Sequence, residues 1–123
     1  MTQEDKDLVL KDLCARQFYK TKVLSPWKKD GPCELSAIDL TSDRQVRVFE
    51  DWYKIEEVKP YLRPMSSMTE EERKYYNAVV QLVQDSEVYE YEVVDWLNEH
   101  HFDYRGLIEK GLALEAPERM YEV

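Results

Sequence analysis

The apolar pattern of this chain changes period near residue 60, and that switch limits the fold more than any other feature. Over residues 18–58 before it, apolar and polar residues alternate with the period of two of a half-buried strand. After it, they recur every three or four residues, as on an amphipathic helix. Tyr19, Thr21, Val23, Ser25 and Trp27 share one face of a first run, against Lys20, Lys22 and Leu24. Residues 28–32, with Gly31 and Pro32, are a turn cluster. Leu35, Ala37, Ile38 and Leu40 make a weaker run, closed by Thr41, Ser42 and Asp43. Val46 and Val48 share a face in residues 44–49, and Glu50 and Asp51 are a tight connection. Trp52 to Val58 is the fourth run, with Tyr53 and Ile55 inward. Four runs at about ten-residue spacing predict a small antiparallel sheet or SH3-like barrel, and a closed barrel would remove exposed edges.

Helices flank these strands. Thr2 can cap a helix over residues 3–15, with Asp5 as the returning carboxylate and Glu4 also suited to the positive end of the dipole. Leu10, Leu13 and Cys14, with Leu8 or Val9 a turn earlier, form its apolar stripe. A second helix starts where Ser67 with Glu70, or Thr69 with Glu72, makes a capping box, and it runs to about Gln84. Tyr76, Val79, Val80 and Val83 lie on its apolar face, with Tyr75 and Leu82 at the edges. Residues 88–100 read as a third helix, with Tyr89, Val93, Trp96, Leu97 and His100 in register. Residues 88–94 also alternate like a strand, but 95–98 continue the helical period. Asp103 can cap a short helix over Tyr104 to Lys110, with Gly111 as its left-handed end. Leu112, Leu114 and Pro117 then lead into a tail.

Lys59 to Met65 is the joint. Pro60 and Pro64 bias Lys59 and Arg63 to extended conformations. Each helical stripe must bury against something, and the sheet is the large candidate. The expected organisation is therefore α+β: one domain over 1–123, with a helix and sheet part at 1–62 and an acidic helical part at 63–123. A chain of this length buries roughly two-thirds of its unfolded surface, so it needs no covalent staple. Its two cysteines, Cys14 and Cys33, form no disulfide framework. No apolar run approaches the roughly 18 residues of a membrane helix, and the first residues do not read as a signal peptide, so the cytoplasm is the expected location.

The net charge of −9 is unevenly placed. Residues 1–65 carry 12 basic and 12 acidic side chains, whereas residues 66–123 carry 5 basic and 14 acidic ones. Such a field repels nucleic acid phosphate and attracts a basic protein surface. The commoner meaning of such a field is a solvated face.

Several long strings in the chain carry a resemblance. They are Lys59-Pro60-Tyr61-Leu62-Arg63-Pro64-Met65-Ser66-Ser67-Met68-Thr69-Glu70-Glu71-Glu72, Asp95-Trp96-Leu97-Asn98, residues 101–108 from His101 to Ile108, and residues 111–118 from Gly111 to Glu118. Lys11 to Arg16 looks like an N-terminal string of the same group. Together, over roughly a third of the chain, they resemble a group of small uncharacterised proteins of gut anaerobic bacteria, their phages and mobile elements. The resemblance implies a phage or mobile-element setting and brings no activity and no catalytic residues. Residues 17–57 depart from the group, and Arg119 sits where it usually has a glycine.

Candidate chemistry is sparse. His100 and His101 are the chain's two histidines, and helical neighbours point about 100° apart, so they do not converge on one ion. Asp95, Glu99 and Asp103 share a stripe without a recognisable ligand spacing, and neither metal nor cofactor is expected. Cys14 is the better thiol, with Arg16 near, although a cysteine on an apolar stripe reads first as core. Lys20, Lys22, Lys28 and Lys29 lie near Tyr19, Trp27, Trp52 and Tyr53, a composition that suits single strands or peptides, but aromatics in a small sheet read first as core. Tyr61, Arg63, Tyr104 and Arg105 suit an interface, or internal pairing that pins the helices to the sheet.

The leading expectation is a non-enzymatic protein of a phage or mobile element that acts by binding another protein. Its candidate contact residues are Tyr61, Arg63, Glu70, Glu71, Glu87, Glu90, Asp95, Glu99, Tyr104 and Arg105. The alternative is an acidic inhibitor, like an anti-CRISPR protein, whose carboxylates, including Glu72 and Glu92, mimic phosphates toward a basic nucleic-acid-processing or defence enzyme. That reading needs the carboxylates in a row, not scattered among Lys and Arg. A small enzyme using Cys14 or His100 and His101 is the third. Direct nucleic-acid and membrane binding are not expected.

Overall fold

The computed structural model describes residues 1–26, 32–41 and 44–121. Helix α1 spans Gln3–Arg16. The Thr2 hydroxyl accepts the Asp5 amide at 3.1 Å and the Asp5 carboxylate accepts the Thr2 amide, so the capping box forms as the sequence predicts. The buried face differs from the expected stripe. Val9, Leu10 and Leu13 are buried, but so are Asp12 and Arg16, while Cys14 faces solvent. Arg16 follows Val9 by seven residues and Leu13 by three, which puts it on the buried stripe, whereas Cys14 is turned about 100° from Leu13.

A short 3-10 turn, Gln17–Tyr19, extends α1 where a strand was expected, and Lys20 ends it in the left-handed region at φ 57°. Strand β1 is then Lys22–Leu24, with Val23 buried and Thr21 and Ser25 buried on either side. Strand β2 is Cys33–Asp39, β3 is Gln45–Val48 and β4 is Asp51–Lys54. The expected alternation holds in β3, where Val46 and Val48 are buried, and at Tyr53 and Ile55, although Ile55–Glu57 is a 3-10 turn and not more strand. Trp27, the turn at residues 28–31, and Ser42 and Asp43 lie outside the described residues.

The joint is itself a strand. Lys59–Leu62 forms β5, which pairs antiparallel with β1. Pro60 is tolerated there because its ring favours the extended neighbour a strand needs. Strand β6, Leu114–Glu115, adds in parallel to β5 in the region read as tail. The six strands follow the order β4-β3-β2-β1-β5-β6. The β1 to β4 meander is followed by a 3-10 turn and by β5, which returns onto β1. Among the described residues no pairing joins β4 to β6, so the sheet stays open at its ends.

Helix α2 spans Glu70–Gln84 and α3 spans Glu90–Glu99. Thr69 and Glu72 make the α2 capping box, at 3.1 Å and 2.9 Å. The class is therefore α+β, with an N-terminal helix, a mostly antiparallel sheet and two C-terminal helices. No helix is long and apolar enough to cross a membrane. Asp103 caps a chain of turns and not a helix: its carboxylate accepts the Leu107 and Ile108 amides, both at 2.9 Å. Gly106 at φ 75° breaks any helix across Tyr104 to Lys110, and Gly111 at φ 74° takes the expected left-handed form.

Two apolar clusters result. The first joins Val9, Leu10 and Leu13 of α1 to Val23, Leu35, Val46, Val48, Tyr53, Ile55, Val58 and Leu62, with Leu107 and Leu112 closing it. The second joins Val93, Leu97 and Phe102 to Met65, Met68, Tyr76, Val79, Val80 and Val83. The sheet thus covers the α1 stripe, while the α2 stripe finds its cover in α3 and Phe102.

Candidate functional site

Three of the ten candidate contact residues, Arg63, Tyr104 and Arg105, spend their side chains inside the molecule, and Tyr61 contributes its backbone carbonyl. The Arg63 guanidinium forks onto Glu72, Nη2 to Oε1 at 2.6 Å and Nη1 to Oε2 at 2.9 Å, and lies 4.2 Å over the Phe102 ring. That fork, with the Thr69 amide, holds the Glu72 carboxyl down at about 2. The Arg63 backbone donates to His101 O at 2.7 Å and accepts from Asp103 N at 2.8 Å, so one residue stitches the end of β5 to the segment after α3. Arg105 donates to Asp12 at 3.2 Å and to the Tyr104 hydroxyl at 3.0 Å. The Tyr104 hydroxyl in turn donates to Asn98 Oδ1 at 2.8 Å. The Tyr61 carbonyl accepts the Tyr121 hydroxyl at 2.7 Å.

The six carboxylates of the set, Glu70, Glu71, Glu87, Glu90, Asp95 and Glu99, are exposed. They belong to two different surfaces. On α2, Glu70 and Glu71 sit beside Arg73 and Lys74, and Lys74 Nζ lies 3.7 Å from Glu70. That is a solvated, charge-mixed face. On α3 the pattern is one-signed. No Lys or Arg occurs between Lys74 and Arg105 in the chain. Glu92, Asp95 and Glu99, at i, i+3 and i+7, fall on one exposed stripe of α3, about 10 Å long. None of the three forms an ion pair with a described Lys or Arg.

Aromatic side chains border this stripe. Tyr89 and Tyr91 stack with ring centroids 5.4 Å apart, and both are exposed. From the end of α1, Phe18 stands 89% exposed beside Tyr19. Partial burial, then the carboxylates of Asp95 and Glu99, push the Tyr19 hydroxyl above its ordinary value, and α1 packs against α3. The α1 terminus and α3 therefore contribute to one acidic, aromatic surface.

The histidines diverge as the sequence predicts. His100 is half-exposed, packs on the Trp96 ring at 4.7 Å, and keeps Nδ1 3.8 Å from Glu72 Oε2. His101 is buried in the left-handed region at φ 64° and stacks on Tyr121 at 3.6 Å. Burial first, then the positive charges of Arg16, His100, Arg63 and Lys22, hold its imidazole down at about 4. Arg16 turns inward to Asp12, at 2.9 Å, and to Phe102 O, at 2.6 Å, so it does not activate Cys14. Burial raises the Cys14 thiol instead. Among the described residues no three His, Cys, Asp or Glu side chains are grouped to hold a metal ion.

Two features escaped the sequence reading. The first is the buried network of Asp12, Arg16 and Arg105 between α1 and the segment after α3. Its signal was present: Asp12 and Arg16 are an i, i+4 pair in register with Val9 and Leu13. The second is Tyr121. Its hydroxyl accepts the Lys22 amide at 2.9 Å and donates to the Tyr61 carbonyl, where those two residues would make the next rung after Val23 and Pro60. The tail is thereby spliced into the β1–β5 ladder, and burial pushes that hydroxyl up to about 12. The tail also walls a cleft of about 600 Å3 with Arg63, Thr69, Glu72, His100 and Pro117.

Comparison with protein-family models, with curated proteins and with solved structures yielded no match to this chain.

Proposed function

We propose that this protein acts by binding another protein, and that it presents the acidic, aromatic face of α3 and the α1 terminus to a basic partner. The observation that carries this reading is the row of Glu92, Asp95 and Glu99, exposed and in no ion pair with a described Lys or Arg. A merely solvated face mixes its charges, as α2 does. Exposed aromatic rings beside carboxylates suit Lys and Arg side chains, which gain from the ring faces and the charges together. The resemblance of residues 59–72, 101–108 and 111–118 to small phage and mobile-element proteins would, if it holds, place the partner in that setting.

The alignment of three carboxylates on one helix also favours a narrower reading. The basic surface would belong to a nucleic-acid-processing or defence enzyme, and the row would stand in for phosphates. The two readings separate by competition. DNA or RNA displaces the protein only if the surface normally holds nucleic acid.

Affinity purification from the native host, with and without phage infection, tests the proposal. Wild-type protein should retain a specific basic partner that elutes as salt rises, because exposed charge pairs are screened. The triple reversal E92K/D95K/E99K should lose it while melting like wild type. Retention of the same partner by that variant would remove the reading.

A further inference from the structure

The tail after β6 ends as a plug in the sheet. Val23 faces Pro60 and Leu24 faces Lys59, so Lys22 and Tyr61 are next in the β1–β5 register. A regular antiparallel ladder would bond the Lys22 amide to the Tyr61 carbonyl. Instead the Tyr121 hydroxyl stands between them, accepting the amide at 2.9 Å and donating to the carbonyl at 2.7 Å. Withdrawal of Tyr121 leaves that amide and carbonyl to bond each other, so the plug leaves at little cost in hydrogen bonds. The mobile unit is short. Ala116 is fixed to β5 by its amide, 2.8 Å from Leu62 O. Beyond it the Met120 amide donates to Pro117 O at 3.1 Å, and Arg119 sits at φ 72°, a left-handed conformation that strains a residue with a side chain.

The Tyr121 ring covers His101. The two rings stack at 3.6 Å, and His101 is 7% exposed. Its Nδ1 is buried with no hydrogen-bond partner among the described residues. The charged groups that act on it are all basic: Arg16 of α1, Lys22 of β1, Arg63 beyond β5, and its neighbour His100. The carboxylates of the surrounding elements are engaged elsewhere or exposed. Asp12 binds Arg16 and Arg105, Glu72 binds Arg63, and Asp103 binds the Leu107 and Ile108 amides. Glu115 and Glu118 of the tail are exposed at the cleft. A protonated ring at His101 would therefore bury an N–H without an acceptor, among groups of its own sign.

We propose that residues 117–121 are an acid-released latch: protonation of His101 drives Tyr121 out of the β1–β5 ladder and removes one wall of the cleft beside Glu72 and His100. Closed, the fold holds the His101 imidazole at about 4, by burial first and then by the basic groups around it. Released, the ring meets water and takes its proton near the ordinary 6.5. The open state binds more protons between those values, so acid favours opening. Each pH unit in that window shifts the equilibrium by up to about tenfold toward the open tail. The β5–β6 pairing and the Ala116 amide bond precede the latch and stay in place.

The test is NMR of the full chain, reading backbone amides and histidine rings from about pH 7 to about 4.5. Amide signals of residues 118–121 should sharpen and move to coil positions as pH falls, while those of α1 and the strands hold. Y121A removes both plug and cover, so its His101 should titrate near the ordinary 6.5 with the sheet signals unchanged. H101Q has no proton to take up there, and its tail should stay ordered to the acid end of the range. The proposal is overturned if the wild-type tail stays ordered throughout, or if tail and core signals are lost in one transition. It is equally overturned if His101 of Y121A still titrates near 4, or if the H101Q tail opens at the same pH as wild type.

Discussion

The α1–sheet half and the α2–α3 half solve the same burial problem in opposite ways. The first is electrically neutral over residues 1–65 and closes around a continuous set of fully buried aliphatics, among them Val9, Leu13, Val23, Val46 and Val58. The second carries the whole charge excess, and no residue of α2 is fully buried. It stands on a smaller cluster centred on Phe102 and on polar stitches to the sheet: Arg63 to Glu72, Arg16 to Phe102 O, Arg105 to Asp12. A half held by stitches leaves much of its helical surface uncommitted, and that is where the one-signed row of carboxylates lies. Stability and partner contact are thus placed in different regions, and substitutions should separate them.

The largest effect should come from the stitch that both halves share. Asp12 faces two guanidinium groups, so Asp12→Ala leaves Arg16 buried without its charge partner. We expect a loss of about 3–5 kcal/mol in urea unfolding, the cost of breaking a buried pair. A loss below 1 kcal/mol would mean that the halves do not depend on each other through this contact.

Acid should come next. His101 stays neutral in the fold down to about pH 4, whereas an unfolded histidine takes its proton near 6.5. The unfolded state therefore binds more protons between those values. Stability should fall as pH drops from about 6.5 to 4, by up to about 3 kcal/mol, and then flatten for this group. Glu72 works lower: its carboxyl is depressed to about 2, so its contribution is intact above about 4.5 and is lost toward pH 2. Urea midpoints across pH should show both windows, and His101→Gln should erase only the upper one.

Arg63→Ala should cost about 2 kcal/mol, from the fork to Glu72 and the contact with Phe102. Arg63→Lys should recover less than half, because an ammonium cannot reproduce the two parallel bonds. Near-ultraviolet dichroism from Trp96 and Phe102 should report the loosening. The smallest effect should belong to the α3 surface. E92K/E99K should shift stability by less than about 0.5 kcal/mol. A large loss there would show that the row serves the fold, and the contrast between the halves would fail.

The local readings that held depend on contacts a few residues apart. Both capping boxes, the extent of α2, the Val46/Val48 face and the left-handed Gly111 follow from spacing and from backbone preference. The readings that failed depend on distant partners. Cys14 and Arg16 exchanged places on the α1 stripe because Asp12, Phe102 O and the neighbouring Tyr104 ring make a home for a buried guanidinium. Lys59–Leu62 looked like a connector because two prolines and a short apolar content hide a strand whose partners, β1 and β6, lie far away in the chain. For the candidate site the same division applies: the carboxylates were legible as residues, but their sorting into a mixed α2 face and a one-signed α3 row was not.

The sequence by itself determined the class of fold, the helix starts and the imbalance of charge, because periodicity, caps and composition act over a turn or less. Only the tertiary structure decided which arginines are consumed, where the tail inserts and which edge is left open. Those outcomes depend on pairing between groups tens of residues apart, and short-range preference carries no information about which distant partner wins.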